Sequence, residues 1–396
     1  MKKLVWIFSI ILVLGLLITG CSGQSNSGET ESEGAGDSTI KIGGIFNITG
    51  GQASLDQPSL NAFQLAADEI NASGGVNGQQ IEVISVDGKS DPATTTSAVQ
   101  ELVDVKKVKV VAGLSDSTYV LAAGPIAQQA GIPFITSGAT APEIPDQVGD
   151  YMFLAPFGDN IQAYAAADFA LNDLNADTAW VLTDTGSDYT LGLAKYFKER
   201  YLDKGGKISL EDKYNGASDV DFSAQITRLK NLPEQPKVLF VSAQPDKCGL
   251  VVKQLRDMGV DTPVIGGDGY DTPDLVKLGG VPQTNNTYFT THVSLGNTDG
   301  SVTKFVDAYK SKYNKEPENA FAALAYDTMY LIADAIGRAG SDDPTAIRDA
   351  LLQTDGFKGV TGTISYQDGS RIPLKSVTIM KVDNGNFEFV KEVLPN

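Results

Sequence analysis

The sequence predicts an α/β protein built as two doubly wound lobes, and three observations carry that prediction. From Thr39 onward, strand-like apolar runs alternate with runs of helical period, the signature of a parallel sheet covered on both faces. The alternation starts over near Asn160, so two sheets account for it better than one sheet of a dozen strands. The length of 396 residues suits two domains, and 42% apolar with 20% charged residues is ordinary globular composition.

Taken in order, residues 39–46 read as a strand, 60–72 as a helix, 80–86 as a strand, 94–105 as a helix and 108–112 as a strand. A helix over 117–129 and a strand over 132–136 close the first series. The second series runs helix 161–174, strand 178–183, helix 191–202, strand 207–214, helix 222–229, strand 238–241, helix 249–258 and strand 263–266. Helices over 302–313, 320–339 and 345–352 then follow without strands between them, so they are expected to return to existing lobes. Strands over 362–366, 376–381 and 387–392 finish the chain.

The first forty residues belong to neither series. Lys2 and Lys3 precede an uncharged apolar run from Leu4 to Ile18, the pattern of a signal peptide over 1–20. Leu17-Ile18-Thr19-Gly20-Cys21 resembles the lipobox of bacterial lipoproteins, which implies cleavage before Cys21, a lipid on its thiol and a place on the outer side of the membrane. Residues 22–38, rich in Ser, Gly and Glu, are expected to be a flexible tether.

Charge and residue counts exclude several functions. With 31 basic against 49 acidic residues the net charge is −18, which disfavours nucleic acid and anionic lipid as partners. Cleavage after residue 20 would remove two lysines and no acid, and deepen that imbalance. One histidine, His292, and two cysteines, Cys21 and Cys248, argue against a zinc site or a disulfide framework. No GxGxxG after a strand, no P-loop and no GxSxG is present. A catalytic triad would have to use His292, which reads instead as a crossover residue, so the expectation is a protein that is not an enzyme and holds neither cofactor nor metal.

Ligands of open α/β sheets sit beyond the carboxyl ends of the strands. The residues there are polar: Ser115, Asp116 and Ser117; Gly138, Ala139 and Thr140; Asp184 and Tyr189; Ser242 and Gln244; Asp268 and Tyr270. Hydroxyls and helix N–H groups come from the first series and a carboxylate from the second. That division suits a zwitterion, its carboxylate on Ser115, Thr140 and backbone N–H groups and its ammonium on Asp268.

Several stretches carry a family resemblance. They include Ile42-Gly43-Gly44-Ile45, Ala66 to Asn71 followed by Gly74 to Gly78, Gly131 to Thr136 running into Ala139-Thr140-Ala141-Pro142-Glu143, Asp221-Phe222-Ser223, and Ala322 to Asp327. Through them residues 39–396 resemble the solute-binding proteins of branched-chain amino acid ABC importers, of the type I periplasmic binding protein superfamily. The resemblance implies two interleaved lobes joined by a three-segment hinge: 39–157 with 290–361, and 158–289 with 362–396. It also implies an amino acid captured between the lobes and delivered, by a protein acting as a monomer, to an ABC permease. Ser115 and Thr140 fall on carboxylate-binding positions, Ala139 is expected among the ligand-binding residues, the Gly138 carbonyl faces the ammonium, and Asp268 stands where familiar members have Glu. Tyr189 matches a tyrosine that closes over the ligand. Leu55 and Gln244 replace aromatic residues of the side-chain pocket, so the resemblance specifies an α-amino acid more firmly than leucine. Other readings are the same fold binding a short amide, urea or an aromatic acid, and a ligand-sensing module.

Overall fold

The computed structural model describes residues 39–394. The signal, the Cys21 lipidation site and the tether lie outside the described residues.

The first series forms β1 (Ile40–Phe46), α1 (Ala53–Ala72), β2 (Ile81–Asp87), α2 (Pro92–Asp104), β3 (Val110–Gly113), α3 (Ser117–Ala130), β4 (Phe134–Thr136), α4 (Ile144–Val148) and β5 (Met152–Leu154). Its strands make a wholly parallel sheet in the order β2-β1-β3-β4-β5. Strands β3 and β4 inside the sheet and β5 at its edge are buried at every position, as continuous apolar runs between two helical layers should be.

The second series forms α5 (Asp159–Asn172), β6 (Thr178–Asp184), α6 (Asp188–Asp203), β7 (Lys207–Tyr214), α7 (Ser223–Lys230), β8 (Val238–Ser242), α8 (Pro245–Asp257), β9 (Val264–Gly266), α9 (Pro273–Gly279) and β10 (Thr287–Thr291). The chain continues through α10 (Gly300–Tyr313), α11 (Ala320–Ala339), α12 (Pro344–Leu352), the hairpin β11 (Phe357–Gly359) and β12 (Gly362–Ile364), then β13 (Val377–Asp383) and β14 (Asn386–Val393). The second sheet has the order β14-β13-β10-β9-β8-β6-β7. It is parallel from β7 to β10, and β13 and β14 add to it antiparallel.

The late helices have no sheet of their own. Met329, Ile332 and Ile336 of α11 join Phe63, Ala66 and Ile70 of α1 in the core beneath the first sheet. Helix α1 starts seven residues before the expected position, with Pro58 inside it. A proline there leaves the carbonyl four residues earlier without its helical donor. That carbonyl, Ser54 O, accepts instead from Asn319 Nδ2 at 2.8 Å, and Asn319 also caps α11.

The chain passes between the layers near Ala155–Gly158 and again at Thr291–Val293, where β10 ends and Val293 joins the α10 packing. The third passage falls later than the expected 359–362. Ile364 and Tyr366 lie in the first lobe's core, Tyr366 donates to Leu154 O (2.8 Å), and Leu154 N donates to Arg371 O (2.9 Å). Residues 362–372, expected in the second lobe, therefore pack on the first. The hairpin turns them back before β13 leaves. Short elements also escape the sequence reading: α4, β5, α9 and β10 offer too few residues to establish a period.

Candidate functional site

The site grows from the ends of β3, β4 and β9 and the starts of α1, α5, α6 and α8. Gly113 closes β3 at φ +126°, and a Cβ there would lie 1.9 Å from Ile45 O, so only glycine lets the chain turn so tightly toward Ser115. One N–H of the first turn of α3 is taken up within the chain. Asp116 is its N-cap and accepts from Thr118 N at 2.8 Å.

Beyond β4, a Cβ on Gly138 would meet both Phe321 Cδ1 and Ser115 Oγ at 2.8 Å, so these three residues share one small volume. Leu55 packs with Phe321 and Leu324 on the same side. Ser115 Oγ is buried without a hydrogen-bond partner, and Asp56 lies beside it. Burial raises the Asp56 carboxyl to about 7 although Asn47 N donates to it. Thr140 and Ala139 complete this wall, both buried, and Asp159 N donates to Thr140 O (2.7 Å).

The opposite wall is organised by Gln162 of α5, which the sequence reading missed. Its Nε2 donates to Asp159 Oδ1 (2.8 Å) and to Asp268 Oδ1 (2.9 Å). Its Oε1 accepts from Asp268 N (3.1 Å) and Thr290 Oγ1 (2.6 Å), which fixes the orientation of the amide. Asp268 Oδ2 meets His292 Nε2 at 3.0 Å, and Tyr189 lies against the same carboxylate while its hydroxyl accepts from Gly269 N (3.0 Å). Burial and the neighbouring Asp268 push the Asp159 carboxyl well above the usual range, and its Oδ2 has no partner. The His292 ring touches Phe321, its centroid 5.4 Å away, so the two walls meet around Phe321.

Ser115, Gly138, Ala139, Thr140 and Leu55 thus line one side, and Tyr189 and Asp268 the other. Gln244 stands apart from them. Its Oε1 accepts from Gln52 Nε2 (2.7 Å) and its Nε2 donates to Asp116 Oδ2 (2.6 Å), an oxygen that also accepts from Ser187 Oγ (3.1 Å). It is a bolt between the lobes and lines a cleft cavity of about 330 Å³ together with Gln52, Asp116, Tyr119, Asp184 and Ser187. Thr118 Oγ1 with Asp188 N (3.0 Å) and Ser54 with Thr272 (2.9 Å) add further ties, so the lobes are closed upon each other. Of the residues missed, Asp159 carried the visible signal of an acid at a helix start, whereas Gln162, Phe321 and Asp56 are ordinary helix residues in the sequence. Among the described residues no group of His, Cys, Asp and Glu is placed to hold a metal ion, and no helix is long and apolar enough to cross a membrane.

A family model described as periplasmic binding protein matches residues 39–386. The chain belongs to that family. Its fold is the type I periplasmic binding fold, with sheets in two lobes, and the family is one of extracytoplasmic binding proteins and not of enzymes. The leucine-, isoleucine-, valine-, threonine- and alanine-binding protein of Pseudomonas aeruginosa is 30% identical over 83% of this chain and 86% of its own length. The substrate-binding protein LivJ of a branched-chain amino acid transporter from Streptococcus pneumoniae, solved with isoleucine, is 35% identical. The match covers 89% of this chain and all of that one, with a TM-score of 0.83. A solute-binding protein of an ABC transporter from Rhodopseudomonas palustris, solved with 3,4-dihydroxybenzoic acid, is 28% identical. It covers 90% of this chain and 98% of its own, with a TM-score of 0.79.

Proposed function

We propose that this protein captures an α-amino acid between its lobes and hands it to an ABC permease, held at the outer face of the membrane by a lipid on Cys21. The observation that carries the reading is the carboxylate Asp268, buried and held by the uncharged donors Gln162 and His292. An ammonium placed against Asp268 is neutralised there, and a carboxylate finds the Ser115 and Thr140 hydroxyls. Relatives that bind aliphatic amino acids support the ligand class, and Leu55 with Phe321 supplies an apolar surface for its side chain. A thermal-shift screen of the twenty amino acids is the direct test, since a ligand bound only by the native state raises the melting temperature. Asp268→Asn is expected to weaken binding by at least ~100-fold, about 2.7 kcal/mol, because it leaves an ammonium buried without its counter-charge. Calorimetry that finds unchanged affinity in this variant rejects the assignment.

One observation favours a second reading. Asp56 and Asp116, both buried, flank Ser115 and disfavour an anion beside them. A short amide would avoid that conflict, and binding of valeramide in preference to norvaline would select it.

A further inference from the structure

We propose that His292 is a positioning residue that aims the Asp268 carboxylate at a bound ammonium and makes ligand affinity depend on the protonation of its own ring. The proposal rests on the reading of this cleft as an amino acid site.

The geometry is specific. His292 follows β10 directly, on the second passage between the lobes, and its side chain has no solvent exposure. The ring stacks on Phe157, which lies on the first passage, at 4.2 Å between centroids and 28° between planes, and it meets Phe321 edge-on at 81°. Two aromatic side chains therefore set the plane of the imidazole, and Nε2 lies 3.0 Å from Asp268 Oδ2. Nδ1 is buried without a partner. A neutral ring satisfies this arrangement in one tautomer only, with the proton on Nε2 donated to the carboxylate. With Gln162 on the other oxygen, both atoms of Asp268 are fixed by uncharged donors, and its charge remains free for a cation.

Protonation of the ring would change that. The charged groups that act on His292 are Asp268, which favours the imidazolium, and Lys375 from the segment before β13, which opposes it. Asp159 and Asp271 act through Asp268. Burial outweighs Asp268 and lowers the proton affinity of the ring, so the neutral form prevails at neutral pH. An imidazolium would form an ion pair with Asp268 and compete with the ammonium for the same charge. Ligand affinity should therefore fall as pH falls, and bound ligand should lower the His292 pKa further by linkage.

The test uses L-isoleucine as the probe, with calorimetry between pH 5 and pH 8 on untagged wild type, His292→Gln and His292→Leu. His292→Gln keeps a donor and cannot titrate. It is expected to bind within about threefold of wild type at pH 7 and to lose the decline in affinity that wild type shows as pH falls toward 5. His292→Leu is expected to bind about tenfold more weakly at pH 7, because it leaves Asp268 Oδ2 without its donor. Parallel pH profiles for wild type and His292→Gln overturn the coupling. A second readout does not depend on either variant folding or on isoleucine binding. As the sole histidine of the chain, His292 gives one pair of ring ¹⁵N resonances. They are expected to report the Nε2–H tautomer at pH 7 and to shift in Asp268→Asn; ring signals indifferent to that substitution overturn the positioning role. Failure of isoleucine and every other amino acid to bind wild type would sink the amino acid reading, and the ring spectrum of the unliganded protein would still decide whether His292 holds Asp268.

Discussion

The two walls of the cleft are built from the same kind of element and do opposite things. On the first lobe the strands stop at glycines and small hydroxyl residues, so backbone and Ser115 stand close to the space between the lobes. On the second lobe the strand end at β9 leads into Asp268, and Gln162, His292 and Tyr189 hold that carboxylate. One wall offers closeness and uncharged donors, the other offers charge already fixed in direction. Neither is a binding site alone. A ligand that needs both draws the lobes together, and the energy of closure becomes part of its affinity.

Substitutions can break this division of roles at unequal cost. Gly138→Ala attacks the closeness of the first wall, since its Cβ would sit 2.8 Å from Phe321 and Ser115 Oγ. It is expected to weaken amino acid binding by ~100-fold while circular dichroism stays native, the equivalent of about 2.7 kcal/mol of crowding. Gln244→Ala removes the bolt and leaves both walls intact. It is expected to speed ligand release by roughly tenfold in stopped-flow measurements, as the loss of two half-buried hydrogen bonds would. An unchanged off-rate would show that closure does not depend on this bridge.

Asp56→Asn sharpens the comparison by removing charge from the first wall. Burial raises the Asp56 carboxyl to about 7, so its protonated form favours the fold at low pH, and that contribution is lost as pH rises through about 7. The asparagine, which can still accept from Asn47 N, should be more stable than wild type at pH 8 by about 1 kcal/mol or more. It should also flatten the stability profile between pH 4 and pH 7. Thermal melts across that range measure both effects.

The alternation of strands and helices was legible because the buried strands are short apolar runs and most covering helices repeat their apolar residues at helical spacing. The first wall was legible too, since it lies where strands of a parallel sheet must end. Two kinds of feature were not. The start of α1 was hidden by Pro58, whose cost is offset by Asn319, a residue far along the chain. Likewise, the hold on Asp268 is made by Gln162 from 106 residues before it and His292 from 24 residues after it, and neither separation leaves a local pattern. Local periodicity reports burial, whereas side-chain networks between elements are written only in the fold.

The lodging of α11 against α1 also has a consequence in time. Glu69 accepts hydrogen bonds from Tyr326 and Tyr330, which are 257 and 261 residues away. At roughly 5–20 residues per second of synthesis, the partners of α1 arrive about 13–50 seconds after it. Until then the side of α1 that packs on α11 has no cover, and residues 39–157 expressed alone should not reach a native state. The N-terminal lobe is thus begun first and completed only after most of the second lobe has been made, a delay that suits a polypeptide threaded through a membrane before it folds.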